Sequence, residues 1–433
     1  MNEDSRGGTA TGDFSPRETS ESAGTGPAAG MAHSTEPRSR PAGREVAERA
    51  CDGLASGDAP GWAIAFCGGQ HDGAEFLAGM RDILGGIPIV GGAAAGIISH
   101  DLVGYQGIES GAALIPGSLG APVFLTESTD ETNDGTAGER LGERIRDVAE
   151  DGDSVLLFFD SLRSSPPPLL HAGSHLVEGI YRGLGLTRVH LVGGGTLGDM
   201  ALTGSFLFDG ERVCKHAATA VVLPRRLSVQ TTSLHACLPA SSFLDITRKE
   251  GAVVHEIDGQ PAVKALERVA GGPVDAARAK KLELNVQLGQ HHGDMLAPFD
   301  AAAYVNRLIV SIDPESGSFV LFEPDFREGS RVQVMVRDND LMFESIRRRM
   351  GALMADLEGR DCLLGLYIDC AGRAKAMCGT ETEEAEAVLA HCRPDIPVLG
   401  FYSGVEVAPL LGRSRPLDLT GVMTVLCVET GKS

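Results

Sequence analysis

Val189-His190-Leu191-Val192-Gly193-Gly194-Gly195-Thr196-Leu197-Gly198-Asp199 is the stretch whose reading decides the fold. A short apolar run that stops at three glycines reads as a buried strand ending in a tight turn. Gly193 to Gly198 also matches the GxGxxG pattern. In a dinucleotide site that loop opens a helix whose N-terminus meets the pyrophosphate. Here residues 199–208 alternate like a strand, and no acidic residue stands in the ribose-binding place. The turn is therefore expected to bring backbone close to backbone or to a small ligand. Gly193, Gly194, Gly195 and Asp199 are its candidate site residues.

Reading outward, a strand at 155–159 and a helix at 169–184 precede this stretch. The helix places Leu169, Ala172, Leu176, Val177, Ile180, Tyr181 and Leu184 on one side. A hairpin at 205–208 with the turn Asp209-Gly210 follows, then a strand at 218–223. The same order occurs upstream: strand 62–66, helix 73–84, strand 88–90 ending in Gly91-Gly92, strand 111–115. It occurs again downstream: strand 362–368, helix 381–392, strand 397–399 ending in Gly400, strand 421–428. Three units of strand, helix, strand, glycine turn, strand predict duplication within the chain. Different material separates the second and third units, with strand-like runs at 228–238, 253–257, 305–312, 318–322 and 331–336 and a helix at 261–269. The expected class is α/β or α+β, a two-part mixed-sheet sandwich built from the repeated units. The parts are placed at residues 45–245 and 246–433. Residues 1–44 are rich in Ser, Thr, Gly, Pro and Glu and are expected to be a disordered tail.

The net charge of −21 over 433 residues repels phosphate backbones and anionic lipid, so neither nucleic acid nor membrane is an expected partner. Arg347-Arg348-Arg349 is a basic run, and the helical pattern around it makes it a solvated face. Nine cysteines without a CxxC pair, several inside apolar runs, suit a reduced, cytoplasmic protein. No signal-peptide core or membrane span is read. His291-His292 reads as a polar loop, and neither a metal nor a cofactor is expected.

The densest chemistry lies in the third unit. Cys370-Ala371-Gly372-Arg373 and Gly400-Phe401-Tyr402-Ser403-Gly404-Val405-Glu406 end neighbouring strands, and that edge is where open α/β sheets gather ligands. Arg373 offers a planar fork for a carboxylate, Glu406 an acceptor for an ammonium, and Tyr402 and Ser403 hydroxyls. The alternative is an Arg373–Glu406 ion pair that ties the strands. Cys370 beside an arginine raises the possibility of a thiolate of lowered pKa, and against it a packed, site-lining thiol.

These residues resemble the FIST family (F-box and intracellular signal transduction proteins). Pro88–Gly96, Val189–Asp199 with the strands after it, Ile257–Ala262, Cys370–Arg373 and Pro397–Pro409 carry the likeness, from about residue 50 to about residue 428. The family's first turn usually carries Cys and Ser/Thr, where this chain has Gly91-Gly92-Ala93-Ala94-Ala95. Contacts from that loop would come from backbone alone. Val405 stands where the family commonly has glycine. The N-terminal residues do not resemble an F-box. The resemblance implies an N-terminal and a C-terminal FIST domain and a sensory module for small molecules such as amino acids. Its signalling partner would act in trans. An enzyme using Cys370 or an acid/base pair in the same cleft, or an interaction scaffold, are the rival readings.

Overall fold

A computed structural model describes residues 28–129, 133–166, 168–294 and 296–429. Within them the three-unit pattern is present and more complete than the sequence suggested. Each unit runs edge strand, helix, strand, helix, strand, hairpin, closing strand. In the first unit these are Gly30–Ser34, Ser39–Asp52, Pro60–Gly68, Gly73–Leu84, Ile89–Ala94, the hairpin Ile97–Ser99 with Leu102–Gly104, and Ser110–Pro116. The second runs from Val123–Ser128 to Ala217–Val222, and the third from Leu227–Leu234 to Gly421–Val428.

Each hairpin leaves its own unit. That of the first unit pairs with Val398–Ser403 of the third. That of the second, Leu207–Gly210 with Val213–Cys214, pairs with Ile89–Ala94 of the first. That of the third, Glu406–Leu410 with Arg413–Leu417, pairs with His190–Thr196 of the second. The exchange is cyclic and yields three six-stranded mixed sheets of matching order. Six backbone hydrogen bonds lock the crossing points. Ala93, Gly195 and Tyr402 donate N–H to the carbonyls of Phe206, Val405 and Gly96, and Leu197, Gly404 and Ala95 donate to those of Ala93, Gly195 and Tyr402, all at 2.8–3.2 Å.

Side-chain alternation along each strand then divides the core. Ile64, Phe66, Leu156, Phe158, Leu366 and Ile368 point into one core shared by the three sheets. Their neighbours Ala63 and Ala65, Val155 and Leu157, and Tyr367 face each unit's own helices. Phe66 and Phe401 stack at 4.0 Å in the centre.

The glycine runs are strand, not turn, which corrects the expectation. Ile89–Ala94, His190–Thr196 and Val398–Ser403 continue straight through them. Gly91, Gly193 and Gly400 lie opposite Ala65, Leu157 and Tyr367 on the neighbouring parallel strand. A Cβ added there would stand 2.1, 1.8 and 2.7 Å from those residues' carbonyl oxygens. The glycines answer a close backbone approach, repeated once per unit.

Residues 30–44, expected in the disordered tail, are also part of the fold, as the edge strand Gly30–Ser34 and the start of the helix Ser39–Asp52. Small residues hid them. Gly43 and Gly79 place the first two helices in backbone contact, since a Cβ on either would lie 2.1 Å from a carbonyl of the other helix. Such packing needs little apolar mass, so composition does not announce it. Residues 1–27 of the predicted tail lie outside the described residues.

The different material is an insertion within the third unit, between its edge strand Leu227–Leu234 and its helix Asn339–Asp356, and it closes on itself. Arg331–Arg337, Leu244–Glu250, Val253–Ile257, Ser318–Leu321, Tyr304–Asp313 and Val286–His291 pair in that order, and the last returns to the first. This antiparallel barrel docks on the core through Ser174, which donates to Glu323 at 2.6 Å, and through Arg307 and Leu308, which bond Asp418. No described helix is long and apolar enough to cross a membrane.

Candidate functional site

The third unit's strand Asp361–Cys370, the first after its edge strand, ends in Asp369-Cys370 and turns through Ala371–Arg373. The strand beside it ends in Tyr402-Ser403, and parallel pairing sets Cys370 opposite Ser403. The hairpin then begins at Glu406, which pairs with Gly194 of the second unit. Topology thus gathers Cys370, Arg373, Gly400, Tyr402, Ser403 and Glu406 at one corner, where the sequence reading puts them, and adds Gly193–Gly195 of the second unit, which that reading does not link to them.

Their chemistry differs from the expectation in a physical way. Arg373 is 1% exposed and spends its guanidinium on partners inside the protein. Its Nε and Nη2 donate to Glu384 at 3.0 and 2.7 Å, and its Nη1 to the carbonyl of Leu419 at 3.1 Å. Asp369 Oδ1 lies 3.1 Å from the same Nε, whose one hydrogen goes to Glu384. Both Asp369 oxygens are therefore without a hydrogen-bond partner. Burial, and then the Glu384 charge, hold the Asp369 carboxyl well above its ordinary range. Glu406, fully buried, accepts from Ser403 Oγ at 2.6 Å rather than from Arg373. Burial pushes its carboxyl up as well. Tyr402 donates to Glu383 at 2.8 Å, and Tyr367 to Glu384 at 3.0 Å. The Arg373–Glu406 pair is not formed. Glu383 and Glu384, which the sequence reading passed over, are the real partners, supplied by the short helix Glu384–Leu389 and the residue before it.

Nor does Arg373 activate Cys370. The thiol is buried and stands near Glu406, and both effects drive its pKa up. Asp199 serves its own loop, accepting from the N–H groups of Ala201 and Thr203. Gly91 and Gly92 sit in the first unit's corner, where a Cβ on Gly92 would meet Phe206 O at 2.4 Å. They do not face the third unit's cavity.

That cavity, of about 220 Å³, lies between the third corner and the barrel. Cys370, Ser403 and Gly404 form its floor, Leu197, Met200 and Leu202 one side, and Glu283, Leu284, Leu308, Phe322 and Arg337 the barrel side, with Leu419 closing it. Two features mark it. Leu202, Leu284 and Leu419 have φ of 59, 62 and 53°. A bulky residue in the left-handed region costs about 1–3 kcal/mol, and such strain collects where function over-determines the backbone. Second, Arg337 makes no ion pair among the described residues. Its guanidinium donates to the carbonyls of Gly372 and Met377 at 2.9 and 3.4 Å, and burial pulls its pKa below the ordinary range. No spacing in the sequence links Arg337 to this corner, since it arrives on a barrel strand.

The second corner holds a further cluster that sequence reasoning missed. Buried His171 bonds Asp134 at 2.7 Å through Nδ1 and His216 at 3.2 Å through Nε2. His291 closes a barrel strand and packs edge-on against Tyr304 rather than lying in a loop.

Comparison with known proteins places this geometry. The model for the FIST N domain matches residues 61–260 and that for the FIST C domain residues 262–409. An uncharacterized protein of Mycobacterium tuberculosis (strain CDC 1551 / Oshkosh) is 25% identical over 401 residues, covering 92% of this chain and 98% of the relative. One of Mycobacterium bovis is 25% identical over 398 residues, with the same coverage. Among solved structures a chorismatase aligns with a TM-score of 0.33 and 11% identity over 86% of this chain and 94% of its own. A cyanuric acid hydrolase from A. caulinodans aligns at 0.30 and 11% over 93% and 99%. Scores that low carry no inference about activity.

Proposed function

The chain belongs to the FIST family, whose domains are associated with signal transduction, and from that premise we propose that it is a sensory module for a small amino-acid-like ligand. The ligand sits in the cavity between the third corner and the barrel. The observation that carries this reading is the convergence there of three leucines in left-handed backbone. A fold that only needed to pack would place glycine or asparagine at such positions.

Arg337 sets the ligand class. A half-buried guanidinium that bonds only carbonyls is complementary to a ligand carboxylate. Glu283, on the same wall, pairs with exposed Lys280 at 2.8 Å and would exchange that lysine for a ligand ammonium, while the leucines suit an apolar side chain. The roles first sought in Arg373 and Glu406 pass to these two. We place the module in the cytoplasm, where nine free thiols remain reduced, with its output carried by a partner protein in trans. Occupancy changes the contact between barrel and core, which is the surface such a partner would read.

The test is a thermal-shift series with apolar amino acids and their deaminated analogues, followed by titration calorimetry. A binding ligand raises the melting temperature by linkage. Arg337→Gln should weaken it at least about tenfold, equivalent to about 1.4 kcal/mol, while sparing the melt of the free protein. Binding that Arg337→Gln leaves intact refutes the assignment. No response to any compound, together with a stable protein complex, would support a scaffold instead.

A further inference from the structure

On the far side of the same barrel contact lies a larger cavity of about 600 Å³. It is bounded by the N-terminal turn of the helix Gly173–Leu184, by the edge strand Arg413–Leu417 and by barrel residues. Its wall carries Lys249, Arg307, Arg327, Arg413 and Arg415 against Glu178, Asp325 and Glu328, five cations to three anions. In a chain of net charge −21 this is a local inversion of sign.

The cations are not equally committed. Arg307 is spent on Asp325 and Asp418. Arg413 pairs with Glu178 at 2.6 Å and lies over the Tyr181 ring at 4.5 Å. Lys249 donates to the carbonyls of Pro324 and Phe326 and keeps one hydrogen free. Arg415, two residues from Arg413 and so on the same strand face, makes no ion pair among the described residues. Its Nε is buried with no hydrogen-bond partner. Burying a guanidinium without a counter-charge is costly unless an anion completes it. Ser330 and Gln290 add neutral donors to the wall.

We propose that this cavity is an anion site for a small compound bearing two or more phosphoryl or carboxylate oxygens, with Arg415 as its principal fork and Lys249 and Arg327 as flanking charges. It is separate from the amino-acid-like cavity. The two back onto opposite sides of one barrel strand, with Arg307 facing one and Leu308 the other.

Calorimetric titration of the full chain with inorganic pyrophosphate, and separately with citrate, tests the proposal at constant ionic strength. Saturable binding by either is expected, and the tighter of the two assigns the head group as phosphoryl or carboxylate. Arg415→Gln should weaken it at least about tenfold, with Arg415→Lys intermediate because charge remains but the fork is lost. Arg415 has no partner to orphan, so its variant should keep the parent's melt. Exposed Arg327→Gln gives a second, milder loss that does not depend on that. Arg347→Gln, away from the cavity, should change nothing. Absence of saturable binding by both anions below roughly 1 mM overturns the proposal. So does binding that neither Arg415→Gln nor Arg327→Gln alters. Arg337→Gln leaves this titration unchanged, so the two sites can fail separately.

Discussion

At the end of its second strand the first unit carries Ala93-Ala94-Ala95, and the third carries Tyr402-Ser403-Gly404 in the same places. Where the first unit's hairpin begins with Ile97, the third's begins with Glu406. Cys67-Gly68 ends one first strand, Asp369-Cys370 the other. The backbone hydrogen bonds at the crossing points nonetheless correspond, Ala93 to Phe206 with Tyr402 to Gly96, Ala95 to Tyr402 with Gly404 to Gly195, and Gly68 to Glu109 with Cys370 to Thr420. His71 even reaches the carbonyl of Ile108 at 2.8 Å, in the place where Arg373 reaches that of Leu419. The polar residues of the third corner are therefore not what makes the fold. The first corner closes largely by close backbone approach, with His71 and Glu109 bonding backbone groups: a Cβ on Gly68 would lie 2.3 Å from Gly107 O, and one on Gly69 2.5 Å from Gly198 O. Acids buried where small apolar residues suffice are the kind of local departure expected near a working site.

That contrast predicts the largest effect. Arg373→Ala leaves Glu384 and Asp369 buried without their cation and should cost about 3–5 kcal/mol. His71→Ala frees a single carbonyl and should cost about 1 kcal/mol. Urea denaturation of both variants measures the difference. Equal losses would mean that the third corner's charge network is no more than a tie between strands, like its counterpart.

The second prediction attacks what the corners share. Gly91→Ala, Gly193→Ala and Gly400→Ala each drive a methyl toward a carbonyl of the neighbouring strand, at 2.1, 1.8 and 2.7 Å. Each should destabilise by about 1–3 kcal/mol, with Gly400→Ala the mildest because it has the most room. Unfolding midpoints rank them. Tolerance in the first unit with loss in the third would break the equivalence of the units.

How much of this could be read beforehand follows from the range of each signal. The repeat was legible because strand, helix and glycine recur in one order, and each of those signals is local. The glycines read as close approaches within turns, since a strand packed carbonyl against Cα looks the same in sequence as a strand that stops. Of the helix Ser39–Asp52 only the part from about Glu45 is legible, and the helix Asp134–Arg146 is not, because both pack through glycine: a Cβ on Gly138 or Gly142 would lie 2.1 Å from the carbonyl oxygen of Leu176 or Ile180. The hairpin exchange and the barrel closure are long-range pairings, which periodicity does not encode. At the site, the corner was found from Cys370 and Ser403. The partner of Arg373 was missed because Glu384 lies on a short helix whose approach only the tertiary fold sets. Arg337 was missed for the same reason, coming from a barrel strand.

The smallest expected effect bears most directly on function. The third corner is roofed by the barrel, and the roof contributes Leu284 at φ 62° with its side chain 42% exposed. Half-exposed, the side chain contributes little to folding, while its backbone pays the left-handed penalty of about 1–2 kcal/mol. Leu284→Gly removes that penalty but loosens the unfolded chain by about 0.4–1 kcal/mol, so stability should stay level or rise by up to about 1 kcal/mol. Leu284→Ala keeps the penalty and loses the side chain. Glycine should then exceed alanine by about 1 kcal/mol in unfolding free energy, the reverse of the usual order. The same pair at Leu186, 96% exposed and outside the left-handed region, should give the usual order, alanine at least equal to glycine. Both Leu284 variants should weaken a ligand in the cavity, because both remove the same wall. A glycine variant that is more stable yet binds less tightly is the signature of strain kept for a ligand. Glycine and alanine equal in stability would leave the left-handed leucine without an energetic cost, and the argument from strain would fail.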